Sequence, residues 1–181
     1  MSEAISPSQL AAEAKKAYEL GNFIESAHGF EAATQAFLAR DEPLMAAEMR
    51  NNSSVAFLQA GEAESALRAV EGTVETFAEA GDIRRQGMAL GNLGAALEAA
   101  GRLDESAEAY GRSAELLKQA GETDLRLNVM RSLSALQLRS GRQIEALATM
   151  QAGLEAVDKP SPKQRILKRL LNLPAKLLNR S

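Results

Sequence analysis

The chain has 181 residues, 45% of them hydrophobic and 25% charged, with 13 Gly, 5 Pro, one His, no Cys, no Trp and a net charge of −3. These values exclude collagen, disulfide scaffolds and wholesale disorder, and the length suits one folding unit. Without Cys there is no thiolate chemistry or Zn–S site, and His28 alone leaves no His-based metal site or Ser-His-Asp triad within one chain.

The first twenty residues, MSEAISPSQLAAEAKKAYEL, lack the basic and apolar regions of a secretory signal. No run of eighteen apolar residues follows, so a soluble, cytoplasmic protein is expected. Breakers then fall about every 20 residues, at Gly21, Asp41, Gly61, Gly81, Gly101, Gly121, Gly141 and Ser161. The intervals are rich in Ala, Leu and Glu, with apolar residues recurring at three and four, as in Leu103, Ala107, Tyr110, Ala114 and Leu117. The spacing predicts eight helices in four antiparallel pairs: 7–20 and 22–39, 42–60 and 62–80, 82–100 and 102–119, 122–140 and 142–157. The members of each pair are termed A and B. Ser6-Pro7, Asp41 before Pro43, Asp82 and Ser161-Pro162 supply side-chain acceptors or a first-turn proline at helix starts, and the marker glycines stand where a helix end takes a left-handed residue. No segment alternates as a strand does, so the fold class is all-α.

Position by position, the repeats carry one pattern. Five residues after Gly21, Gly61, Gly101 and Gly141 the residue is small (Ser26, Ala66, Ser106, Ala146), nine after it is large (Phe30, Val70, Tyr110, Met150), and twelve after it is small again (Ala33, Thr73, Ser113, Gly153). Small residues let backbones approach and the large one fills the space between repeats. On these positions the chain resembles the tetratricopeptide repeat family over about residues 7–157, with LGNLGAALEAAGRLDESAEAYGRSAELL nearest to the family pattern. The spacing of 40 is similar to the longer subclass found in kinesin light chains and spindle-orientation adaptors. Ser54 and Ser134 replace the family's Gly or Ala, and Arg50 stands where a large apolar residue is usual. The resemblance implies an α-solenoid of four such hairpins over residues 1–158, with repeats at about 7–40, 41–80, 81–120 and 121–158. Its A helices would line a concave groove that binds an extended peptide or helix of another protein, without enzymatic activity, cofactor or metal.

Carried over by position, the implied groove residues include Lys15, Tyr18, Asn51, Asn52, Val55, Met88, Gly91, Asn92, Asn128, Arg131 and Ser132. Asn52, Asn92 and Ser132 form a ladder one repeat apart, and an Asn amide matches both the N–H and the C=O of a peptide backbone. Val55, Leu58, Met88, Ala95, Ala135 and Leu138 predict a ligand with apolar anchors. Arg131, with Arg84 and Arg85, would meet a ligand carboxylate. Gly87, Gly91 and Gly94 lie mid-helix with no strand before them, which argues against a phosphate loop; Gly94 has a packing position and Gly91 faces the groove. His28 reads as a surface or packing histidine.

The charge divides at residue 158. Residues 1–158 hold 14 Lys and Arg against 24 Asp and Glu, a balance of −10, whereas 159–181 hold seven Lys and Arg and no acid, a balance of +7. Residues 163–180, KQRILKRLLNLPAKLLNR, place leucines on one helical arc and bases on the other, with Pro174 in the apolar arc predicting a kink or two short helices. Two readings stay open. The segment caps the last B helix, which would otherwise expose Ile144, Leu147 and Leu154. Alternatively it holds the protein to anionic lipid through Arg165, Lys168, Arg169, Leu170, Lys176 and Leu177. No nucleic-acid partner is expected beside a body of −10 with no interleaved aromatics, and a homo-oligomer is left open.

Overall fold

A computed structural model describes residues 5–155, 157 and 161–171. These form α1 (Pro7–Glu19), α2 (Phe23–Leu38), α3 (Pro43–Gln59), α4 (Ala63–Val70), α5 (Thr73–Glu79), α6 (Ile83–Ala99), α7 (Leu103–Gln119), α8 (Thr123–Arg139), α9 (Gln143–Glu155) and α10 (Pro162–Leu171). Among the described residues there is no strand, and the class is all-α as expected.

One local device sets the spacing. Gly21, Gly61, Gly81, Gly101, Gly121 and Gly141 all have φ between 67° and 82°, and Asp41 takes the seventh such position at φ 57°. At each junction the left-handed residue bonds back three residues and the next residue bonds back five, as in Gly101 N to Glu98 O at 3.0 Å and Arg102 N to Leu97 O at 2.9 Å. Asp41 therefore substitutes for a glycine and does not cap the following helix, a correction to the expectation for that residue. Asp and Asn are the side chains that best tolerate this conformation. The caps at Ser6 and Asp82 form as expected, through Gln9 N and Arg85 N respectively.

The hairpins stack in sequence. Each A helix packs on its own B helix, and each B helix packs on the A helix of the next repeat: α2 on α3, α4 and α5 on α6, α7 on α8. Neighbouring A helices also meet, α3 on α6 and α6 on α8, which places them together on the inner face. The small positions Ser26, Ala66, Ser106 and Ala146 are sealed in the interior, and Phe30, Val70 and Tyr110 are buried beside them. At Gly94 the approach is so close that a Cβ would stand 2.7 Å from the Tyr110 ring, so only glycine fits. Buried serines satisfy partner-helix carbonyls, with Ser106 Oγ donating to Gly94 O at 2.7 Å and Ser134 Oγ to Ala146 O at 2.8 Å.

One further expectation is corrected. The helix predicted over 62–80 is broken into α4 and α5: Glu71 is extended and Gly72 is left-handed at φ 75°. The break goes with Arg50, whose Nε donates to Ala69 O at 3.1 Å and whose NH2 reaches Arg68 O at 3.5 Å, serving carbonyls that a continuous helix would have bonded itself. At the other end α10 packs on α9 and Leu154 is buried, while Ile144 and Leu147 are 79% and 48% exposed. The expected kink at Pro174 lies outside the described residues.

Candidate functional site

Two hollows lie along the inner face. The first, of about 540 Å³, is walled by Ala11, Ala12, Lys15 and Tyr18 of α1 and by Glu48, Asn52 and Val55 of α3, with Phe30 of α2 beneath. The second, of about 280 Å³, is walled by Met88, Gly91, Asn92 and Ala95 of α6 and by Asn128, Val129 and Ser132 of α8, with Tyr110 and Leu117 of α7 beneath. Nine of the eleven residues expected in the groove therefore line one hollow or the other, the exceptions being Asn51 and Arg131.

The polar groups differ in how far they are already engaged. Asn52 and Asn92 are half-buried and, among the described residues, their amides make no hydrogen bond. Burial without a partner leaves donors and an acceptor to be satisfied by whatever enters. Ser132 instead meets the Tyr110 hydroxyl. Tyr110 donates to Glu98 Oε2 at 3.0 Å, and Arg139 holds the other oxygen of Glu98. Burial, and then the Glu98 charge, push the Tyr110 phenol well above its ordinary value, so it remains a donor. Lys15 pairs with Glu19 at 4.0 Å, and Tyr18 meets Phe23 edge-on at 5.3 Å. Asn128 and Arg131 are exposed, and Arg131 has no ion pair among the described residues.

Asn51 and the two arginines at the start of α6 depart from expectation. Asn51 is buried and its Oδ1 accepts from Thr73 Oγ1 at 3.2 Å, because one residue along a helix turns the side chain about 100° away from its neighbour Asn52. Arg84 pairs with Glu122 at 2.6 Å. Arg85 pairs with Asp82 at 2.6 Å and Glu48 at 3.5 Å while lying 5.2 Å from the Phe77 ring centre. Both are consumed in tying one repeat to another. The Arg85–Glu48 pair joins α6 to α3 at Glu48, on the wall of the first hollow.

Residues 85–159 match the family model for the tetratricopeptide repeat. Over these residues the chain is similar to the tetratricopeptide repeat family. No curated protein matches it. The matched residues take in nearly all of α6 and the whole of α7, α8 and α9, and the earlier hairpins share their 20-residue junctions and small-large-small positions. Repeats of this family form a non-enzymatic scaffold and generally mediate protein–protein interaction.

The expected membrane-contact residues are placed only in part. Arg165 is exposed and Lys168 half-buried on α10, Arg169 and Leu170 belong to α10 with side chains outside the described set, and Lys176 and Leu177 lie outside the described residues. No helix of the described residues is long and apolar enough to cross a membrane. No cluster of three His, Asp or Glu among them could hold a metal ion. The outer face adds what periodicity did not announce: clefts of about 820 and 430 Å³ on either side of α4. The signal was the out-of-pattern Arg50, which lines the larger one.

Proposed function

We propose that the inner face binds an extended peptide or helix of a partner protein, with residues 1–158 acting as the scaffold and 159–181 as a separate functional segment. The observation that carries this reading is the pair of unbonded, half-buried amides Asn52 and Asn92, each set in a largely apolar hollow. Each amide would hold the ligand backbone while Val55, Met88 and Ala95 receive its apolar side chains, and Lys15 and Arg131 flank the path. The Asn52→Ala, Asn92→Ala double variant should lose at least tenfold in partner retention when wild type and variant are compared by affinity capture from lysate, with far-ultraviolet circular dichroism unchanged. Undiminished capture would overturn the reading.

A second reading concerns the tail. Ile166 and Leu167 on α10 are 60% and 38% exposed, beside Lys163, Arg165 and Lys168. An apolar face that the scaffold leaves uncovered, flanked by bases, suits the surface of anionic lipid and would recruit a cytoplasmic scaffold to a membrane. Lys163, Arg165 and Lys168 changed together to Gln should abolish sedimentation with phosphatidylserine vesicles at low salt; unchanged sedimentation, or none by the wild type, would remove this reading.

A further inference from the structure

The outer face carries a site distinct from the groove. α3 packs on both α2 and α4, and the space between those two helices is the open cleft of about 820 Å³. The α2 wall carries Ile24 near one end and Leu38 at the other, 46% and 49% exposed, with His28, Glu31, Thr34 and Gln35 between them, and Phe57 of α3 lies against His28. Arg50 and Arg68 line the same cleft. Arg50 occupies the position that holds Leu10, Leu90 and Met130 in the other repeats. Its contacts to the Ala69 and Arg68 carbonyls fix the guanidinium without neutralising it, and Arg68 NH2 donates only to Ser65 Oγ, at 3.0 Å. Neither has an acidic partner among the described residues, whereas Arg84, Arg85, Arg102, Arg139 and Arg142 are each paired. The acids of the cleft do not fill that role: Glu31 bonds His28 Nδ1 at 2.8 Å, and Glu62 comes within ion-pair distance of neither arginine.

We propose that this outer cleft is a second protein-docking site, which takes an acidic, apolar segment of a partner. One Leu or Phe side chain would lie on Ile24 and Phe57 and another, about 20 Å along the segment, on Leu38, while an Asp or Glu carboxylate between them meets Arg50 and Arg68. A guanidinium fork suits a carboxylate, and one already fixed by carbonyls loses little freedom on binding.

The test uses the full chain and a fluorescein-labelled peptide pool in which Asp or Glu alternates with Leu or Phe, beside a matched pool with Lys in place of the acids. Fluorescence anisotropy should show the acidic pool binding at least tenfold more tightly than the basic one. Arg68→Glu should weaken it at least tenfold and Leu38→Gln severalfold; both side chains are exposed, so the fold survives and circular dichroism confirms it. Asn52→Ala with Asn92→Ala should leave it unchanged, which separates this cleft from the groove. Equal binding of the two pools, or loss in the groove variant, would overturn the proposal. So would binding indifferent to Arg68→Glu and Leu38→Gln, which would place the acidic peptides on the basic residues 159–181.

Discussion

The second and third repeats share length, junction chemistry and register, yet only one has an unbroken B helix. Glycine does not make the difference. Gly111 lies inside α7 with ordinary helical backbone, while Gly72, one position later in its repeat, takes φ 75° and ends the run. What differs is the A helix opposite. In the third repeat Leu90 is buried and Gly91 leaves room for Ser113, whose hydroxyl donates to Gly87 O at 2.6 Å. In the second, Arg50 and Asn51 stand at the equivalent positions, and they bond to the Ala69 carbonyl and to Thr73 on either side of the break. A helix ends where its orphaned carbonyls find other donors, and here these donors are almost twenty residues away in sequence.

Several substitutions probe that contrast. The largest effect is expected at Gly94, where a leucine would drive into the Tyr110 ring: Gly94→Leu should cost about 3 kcal/mol in urea unfolding, with overpacking as the cause. Ser54, at the same position of the second repeat, is buried with a hydroxyl that has no partner among the described residues, so Ser54→Ala should be neutral or mildly stabilising. The two outer-helix glycines should then respond with opposite sign. Gly72→Ala forces a side chain into the left-handed region and should cost about 1.5 kcal/mol, whereas Gly111→Ala, in open space within α7, should raise stability by about 0.5 kcal/mol. If both changes destabilise equally, the break is not held by its backbone conformation.

The smallest effect concerns the helix starts. Asp82 caps α6, while Glu42, before α3, makes no side-chain cap. Asp82→Ala should cost about 1 kcal/mol at neutral pH and Glu42→Ala close to nothing. The Arg85 backbone N–H, and then the Arg85 and Arg84 charges, hold the Asp82 carboxyl below its ordinary value of 3.8. A carboxyl depressed in the folded state stabilises above its unfolded pKa, so the difference between wild type and Asp82→Ala should shrink as pH falls below about 4. Urea midpoints measured at pH 7 and pH 3 check the sign.

The contrast also shows which features were legible. Junction spacing, pairing and the small-large-small interior followed from residues whose effects reach one turn: the glycines of the junctions, Ser6, Asp82 and the apolar period. Asp41 departs from the cap expected of it because its side chain suits both roles and only the backbone angle decides between them. The break at Gly72 was hidden, since Gly72 and Gly111 look alike without Arg50 in view. The hollows could be read at Asn52 and Asn92, whose facing follows from periodicity. At Asn51, Arg84 and Arg85 the fate of the side chain rests on Thr73, Glu122 and Glu48, residues distant along the chain.

The seven left-handed junctions have a consequence for editing this molecule. Because the backbone passes Gly81 and Gly121 in the same conformation and with the same return bonds, a chain cut after one and rejoined after the other meets an identical splice. Whole 40-residue units can be removed, duplicated or exchanged at those points without redesigning a turn, and the side chains between neighbouring units are all that must be matched anew.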